Sequence, residues 1–255
     1  MTSPINHDPH TGSAQMTSQQ IEITQAIAAK VLEVVDAGLV HGKGSPVPGR
    51  MCVEAAVCFA LSLPHGDGPP CVAPILRSLK IALNDSPWSS DQARAKGLRR
   101  LALAQLGSAG HIDEDEFRKR IVHIALSKSV PVALRAAASI HKDEKHRAAL
   151  YEAAHRCEKE ASRQAAIDAR AVANAANTAN AAAYAATYAA HAADYDDYAA
   201  GYAARAARAA HAAAYAANAA VSQDKSLAEY AESIVQILIE MKAPGCQWLS
   251  LTEAA

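Results

Sequence analysis

Cys52, His65 and Asp67 are the residues whose types could together do nucleophilic chemistry, and all three fall in "GKGSPVPGRMCVEAAVCFALSLPHGDGPPCV", residues 42–72. Pro48–Gly49 ahead of "RMCVEAAVCFAL" puts Cys52 in or beside the first turn of a helix. Free backbone N–H groups and the helix dipole favour negative charge there, so the position is expected to stabilise a thiolate. His65 would then serve as base and Asp67 would orient it. Distance argues against this triad. A helix running to Leu63 separates Cys52 from His65 by a rise of roughly 15–20 Å. Cys52, Cys58, His65 and Cys71 also have zinc-ligand chemistry, but residues six apart on a helix differ by about 240° and no C-x-x-C pair occurs, so no metal is expected. Cys58, between Val57 and Phe59, reads as a small buried apolar residue.

The same stretch can be read as a ligand cradle. Gly44 and Gly49 would let backbone approach a bound molecule, the helix start offers free N–H groups, and Lys43 and Arg50 add mobile charge. Glu54 suits the dipole of that first turn. A second basic group, Arg94, Lys96, Arg99 and Arg100, follows "NDSPWSS", and Trp88 offers a stacking face. Together they suit an anionic, phosphate-bearing and stackable small molecule. The pattern matches neither the P-loop nor the dinucleotide fingerprint, and no cofactor is expected. The plainer reading is that glycine and proline route the chain between two helices while the charge run is a solvated face.

These residues need helices to position them, and the periodicity supplies helices throughout. A first helix is expected after a Thr17–Gln20 capping box, with Ile21, Ile27, Val31, Leu32 and Val35 on its apolar face and Gly38 as its stop. Further helices are expected at about 50–62, over "CVAPILRSLKIALND", and over "DQARAKGLRRLALAQLG" after Ser89 or Ser90. Another follows Asp113 with "EFRKRIVHIALSK", and Pro131 is placed to begin a new one. No segment alternates with strand period, so the fold class is all-α.

Beyond residue 143 alanine dominates. Tyr184, Tyr188, His191, Tyr195, Tyr198, Tyr202 and Arg205 recur at alternating steps of four and three, a heptad stripe. One continuous helix of this length would exceed ~110 Å, so breaks are expected at Asn174–Asn180 and Asp194–Asp197, where Asn and Asp favour caps. The tyrosines would supply apolar mass that alanine lacks. The sharper alternative is a groove lined by Tyr188, His191, Tyr195, Tyr198, Tyr202 and Arg205. A last amphipathic helix, Leu227 to Met241, precedes "APGCQWLSL", in which Trp248 docks the tail.

The totals bound the function. A net charge of −1, from 25 basic and 26 acidic side chains, argues against a nucleic-acid partner. Five scattered cysteines do not form a disulfide framework. Residues 1–16 read as a disordered tail without a signal-peptide core, and no window reaches the uninterrupted apolar length of a membrane helix. The expected setting is the cytoplasm, with no membrane partner. Closely packed Ala faces point to a homo-oligomer.

The segments "PGRMCVEAAVCFAL", "PHGDGPPCV", "IALNDSPWSSDQARAKGLRRLALAQLGS" and "PGCQWLSL" resemble a family of uncharacterised Ala-rich proteins from bacteria and bacteriophages. The resemblance covers most of the chain after the tail and implies no catalytic or binding residue. A phage connection points to a small binding protein that interferes with host signalling. The expected organisation is a helical domain over 17–142 bearing the loop-rich site, then an Ala/Tyr-rich bundle over 143–255. The leading function is non-catalytic binding or sequestration of an anionic, nucleotide-like small molecule. A cysteine hydrolase or transferase and a structural, oligomerising protein are the alternatives.

Overall fold

The computed structural model describes residues 21–176, 180–194, 205 and 223–253. The protein is all-α: among the described residues there is no strand, only two isolated bridges that join Met51 to Leu39 and to Gly44. Helix α1 (Gln25–Asp36) begins where Thr24 accepts the Ile27 N–H, later than the expected Thr17 start, which lies outside the described residues. Ile21 and Ile23 precede it as non-helical chain packed on the core. Helices α2 (Val53–Ala60), α3 (Pro74–Asn84) and α4 (Asp91–Ala104) follow, the last capped by Ser90, which accepts from Ala93 N–H at 3.0 Å. Proline at the first turn of α3 costs no hydrogen bond, because that N–H has no helical partner.

Helix α5 (Glu114–Ile124) starts at Asp113, whose carboxylate accepts from both Asp115 and Glu116 N–H. Pro131 does not begin a separate helix after it. A π turn over Ala125–Ser129 carries α5 directly into α6 (Val130–Ile140). Proline has no N–H, and its ring crowds the preceding turn, so local widening absorbs it. The resulting 27-residue helix, Glu114–Ile140, is long and apolar enough to cross a membrane by length and composition, although Lys128 and Arg135 interrupt its apolar window. Some 61% of its apolar window is buried inside the protein, as in a core helix.

The Ala-rich half divides into α7 (Glu144–Glu160), α8 (Arg163–Ala175) and α9 (Asn180–Ala192). The break between α8 and α9 falls in the expected Asn174–Asn180 window, and α9 ends just before Asp194. The break at Ala161–Ser162 was not anticipated: Ala161 takes a left-handed conformation (φ 44°) and Ser162 caps α8 by accepting from Ala165 N–H. Helix α6 packs on α7, α7 on α8 and α8 on α9. Helix α10 (Gln223–Glu240) returns to lie on α4, and a 3-10 tail (Pro244–Thr252) packs against α4 and α1. The tail enters close. A Cβ on Gly245 would sit 2.1 Å from Leu103 O. Leu249 is buried there, with Trp248 packed beside it.

Of the tyrosines on α9, Tyr184 points away from the core while Tyr188 packs against its edge. Ala182, Ala185, Ala186 and Ala189 face inward at 0% exposure, whereas Tyr184 is 52% exposed and stacks on Tyr188 with ring centroids 6.2 Å apart. Alanine has so little side chain that two helix backbones can come together, and van der Waals contact between them replaces interdigitation.

Candidate functional site

Three pieces of chain converge on the start of α2. The loop after α1 doubles back on itself through Val40 N–H to Met51 O (3.0 Å), Ser45 N–H to Arg50 O (2.7 Å) and Cys52 N–H to Lys43 O (3.3 Å). Gly44 is required by that turn, because a Cβ would lie 2.1 Å from Arg50 O. Gly49 similarly abuts Ala37 O. These two glycines let the loop approach itself and not a ligand, which corrects the cradle expectation. Gly42 differs: nothing lies within 4 Å of its open side.

The end of α3 supplies the second piece. Asn84 Oδ1 accepts the otherwise orphaned Val53 N–H at the α2 start, while Asn84 Nδ2 donates to Val40 O and to Asp85 Oδ1. Asp85 Oδ1 also accepts from Gly42 N–H at 2.8 Å. The third piece is the loop after α2. Ser62 takes φ 57°, Leu63 N–H bonds back to Cys58 O, and residues 63–71 return along the helix. His65 Nε2 thereby reaches Gly44 O at 3.1 Å.

Where the three meet lies a cavity of about 50 Å³, lined by Gly42, Lys43, Cys52, Val53, Glu54, Asp67, Ile81, Asn84 and Asp85. Lys43 and Asp67 stand exposed at its mouth, Asp85 is half-buried, and Glu54 and Asn84 lie buried below. That volume holds a few water molecules, far below the several hundred Å³ of a drug-sized site.

Glu54 is the unusual member. It and Lys80 are both 0% exposed, with Lys80 Nζ 3.1 Å from Glu54 Oε1. The pair is close but poorly aligned, so neither Glu54 oxygen nor the ammonium has a well-directed hydrogen bond. Burial pushes the Glu54 carboxyl up, against the attraction of Lys80 and Arg77, and pushes the Lys80 ammonium down, against the attraction of Glu54. The sequence reading took Glu54 as an ordinary first-turn acid and missed Lys80, Asn84 and Asp85. A signal existed: Lys80 sits on the apolar face formed by Leu76, Leu79 and Leu83, and Glu54 interrupts an apolar run.

The nucleophile expectation fails on geometry and charge. Cys52 is the N-cap of α2, its Sγ accepting from Ala55 N–H at 3.3 Å, and His65 is turned to Gly44 O. Burial raises the Cys52 thiol, outweighing the lowering by the Ala55 and Glu54 backbone N–H groups. Burial likewise pushes Cys58 up to about 11 and raises Cys71. The helix start does act as expected, but desolvation of the thiolate is larger. Among the described residues no three His, Cys, Asp or Glu side chains are placed to hold a metal ion.

Arg94 and Arg99 of the second basic group are engaged within the fold. Arg94, 6% exposed, donates to Asn84 O, Leu39 O and Asp91 Oδ1. Arg99 pairs with Asp36 through two nitrogens and donates to Thr252 O. Trp88 is buried, donates to Leu83 O and packs on Gly97, whose missing Cβ would meet its ring at 2.3 Å. These residues hold α4 to its neighbours and do not line the cavity, a correction to the cradle reading. Arg50 is exposed and also lies off the lining, so only Lys43, Cys52, Glu54 and Asp67 of the expected site residues meet there.

Of the expected aromatic groove, Tyr188 is half-buried with Arg205 6.0 Å from its ring centroid, and His191 is half-buried; Tyr195, Tyr198 and Tyr202 lie outside the described residues. A larger hollow of about 410 Å³ between the α5–α6 junction and α10 is an open furrow. Its acids are engaged, Glu232 with Arg100 and Glu240 with Arg120. No protein-family model, no curated protein and no solved structure matches the chain, so the family resemblance rests on its sequence segments alone.

Proposed function

We propose that the protein is a non-catalytic binding protein whose ligand enters the cavity at the start of α2. One observation carries the reading. Glu54 Oε2 has no hydrogen-bond partner although it is fully buried, and it lines a cavity that opens at Lys43 and Asp67. Leaving such an acceptor dry costs about 1–3 kcal/mol or more, and an incoming donor removes that cost. The walls are built for fixed geometry: Asn84 and Asp85 tie the loop, α2 and α3 together through three hydrogen bonds and are themselves joined by a fourth. Binding is favoured over cysteine chemistry because the thiol nearest the cavity is stabilised in its protonated form. The anionic, nucleotide-like ligand keeps only Lys43 and the α2 start in its favour, and the cavity admits no more than a small head group of any ligand.

The test is a melting scan of the full chain against small polar compounds of both charges. A ligand at a hundred times its dissociation constant should stabilise the fold by about 2.7 kcal/mol. Ile81→Trp, which fills the cavity from its apolar wall, should abolish the shift. Stabilisation that survives Ile81→Trp would place the ligand elsewhere and overturn the proposal.

A further inference from the structure

The charge around the cavity specifies which head group it takes. Three carboxylates, Glu54, Asp67 and Asp85, line it with a single cation, Lys43. Lys80 offsets Glu54 from behind, and Arg77 acts on Glu54 without lining the cavity. Asp85 accepts both of its hydrogen bonds at Oδ1, and among the described residues Asp67 makes no ion pair. Glu54 Oε2 is fully buried without a partner. The walls therefore hold a surplus of acceptors and of negative charge, running from exposed Asp67 to fully buried Glu54.

Resting on the binding reading above, we infer that the cavity takes a primary ammonium head group, with the rest of the ligand lying outside past Lys43 and Asp67. An ammonium carries one positive charge and three N–H donors on one small atom. Acceptors line the cavity from three separate elements, the α2 start, the α3 end and the returning loop, and any of them can take one of its N–H groups. An anion would meet three carboxylates. A metal ion needs ligands gathered on one point, and no such group occurs among the described residues. Size agrees: about 50 Å³ admits a head group comparable to a few waters, not a quaternary ammonium with its methyl shell.

The experiment titrates the full chain with methylammonium, tetramethylammonium, inorganic phosphate and adenosine monophosphate at matched ionic strength, reading melting temperature and calorimetric heat. Methylammonium should stabilise the fold and tetramethylammonium should not, which separates donor geometry from charge. Asp85→Asn should weaken methylammonium binding roughly tenfold or more, the usual worth of a charged hydrogen bond. Asp67→Asn, at the exposed mouth and safe for folding, should weaken it in the same direction. If phosphate or the nucleotide binds and methylammonium does not, the ammonium inference fails while the binding reading stands. If none of the probes binds, this inference is overturned. The wider panel and Ile81→Trp then decide the binding reading separately.

Discussion

The two halves of this protein bury different things. Around α2 and α3 the interior is built from Leu39, Met51, Leu76, Leu79 and Leu83, and it encloses two opposite charges, Glu54 and Lys80. Across α8 and α9 the fully buried residues are alanines, and the charges stay outside: Arg156 bridges Glu160 and Asp168, and Arg163 meets Asp194. Bulky aliphatic side chains leave irregular gaps, and a loop-rich junction can place polar groups in them. Alanine faces leave none. A site with chemical character therefore forms where packing is uneven, and the smooth Ala interface is left to hold the helices together.

The sharpest way to break the comparison is to unbalance the buried pair. Lys80→Met should cost about 3–5 kcal/mol, because it leaves Glu54 without its counter-charge. Adding Glu54→Gln should recover most of that loss, since a neutral interior needs no partner. Urea unfolding of both variants measures it, and a double variant no better than the single would show that the pair contributes more than charge compensation.

Core substitutions come next, with opposite expectations in the two regions. Leu76→Ala, fully buried on α3, should cost about 2–5 kcal/mol through the cavity it opens. Ala186→Leu, equally buried on α9, should cost about 1–3 kcal/mol through overpacking, because the backbones there leave no room. Thermal melts of the two variants check the contrast. A neutral or stabilising Ala186→Leu would mean that the Ala interface is loose.

The smallest effects belong to surface charge. Arg135→Gln should cost only about 0.2–1 kcal/mol, since its bidentate bridge to Glu158 is well exposed. These bridges should show in pH dependence. Hydrogen bonds from Arg135 hold Glu158 below its ordinary value, and those from Arg156 do so for Glu160; Asp168 is held down by Gln164 and Arg156. A depressed carboxylate contributes stability that is fully present above its unfolded value, near 4.5 for Glu and 3.8 for Asp, and lost as pH falls through the folded value. Acid unfolding followed by circular dichroism should therefore begin below about pH 4.5. Arg156→Gln should flatten that limb by slightly lowering stability near neutral pH while leaving it almost unchanged at low pH.

Local chemistry, read in order along the chain, determined the helices. Ser90 and Asp113 each accept an N–H of a first helical turn, and the apolar spacing of Leu76, Leu79 and Leu83 sets the inner face of α3. Such signals act within one turn, so they survive without knowledge of the fold. The all-α class and the Asn174–Asn180 break were legible for the same reason. What the tertiary structure decided was who meets whom. Arg94 and Arg99 look free on paper, but Asn84, Leu39 and Asp36 claim them from other elements. Cys52 sits at a helix start that favours a thiolate, yet burial by the surrounding loops reverses the sign. The stripe of tyrosines faces out at Tyr184 because the neighbouring helices approach on the alanine side. Lys80 finds Glu54 across 26 residues only because α3 packs along α2. Desolvation and partner choice depend on distances between segments far apart in the chain, and no local pattern encodes those distances.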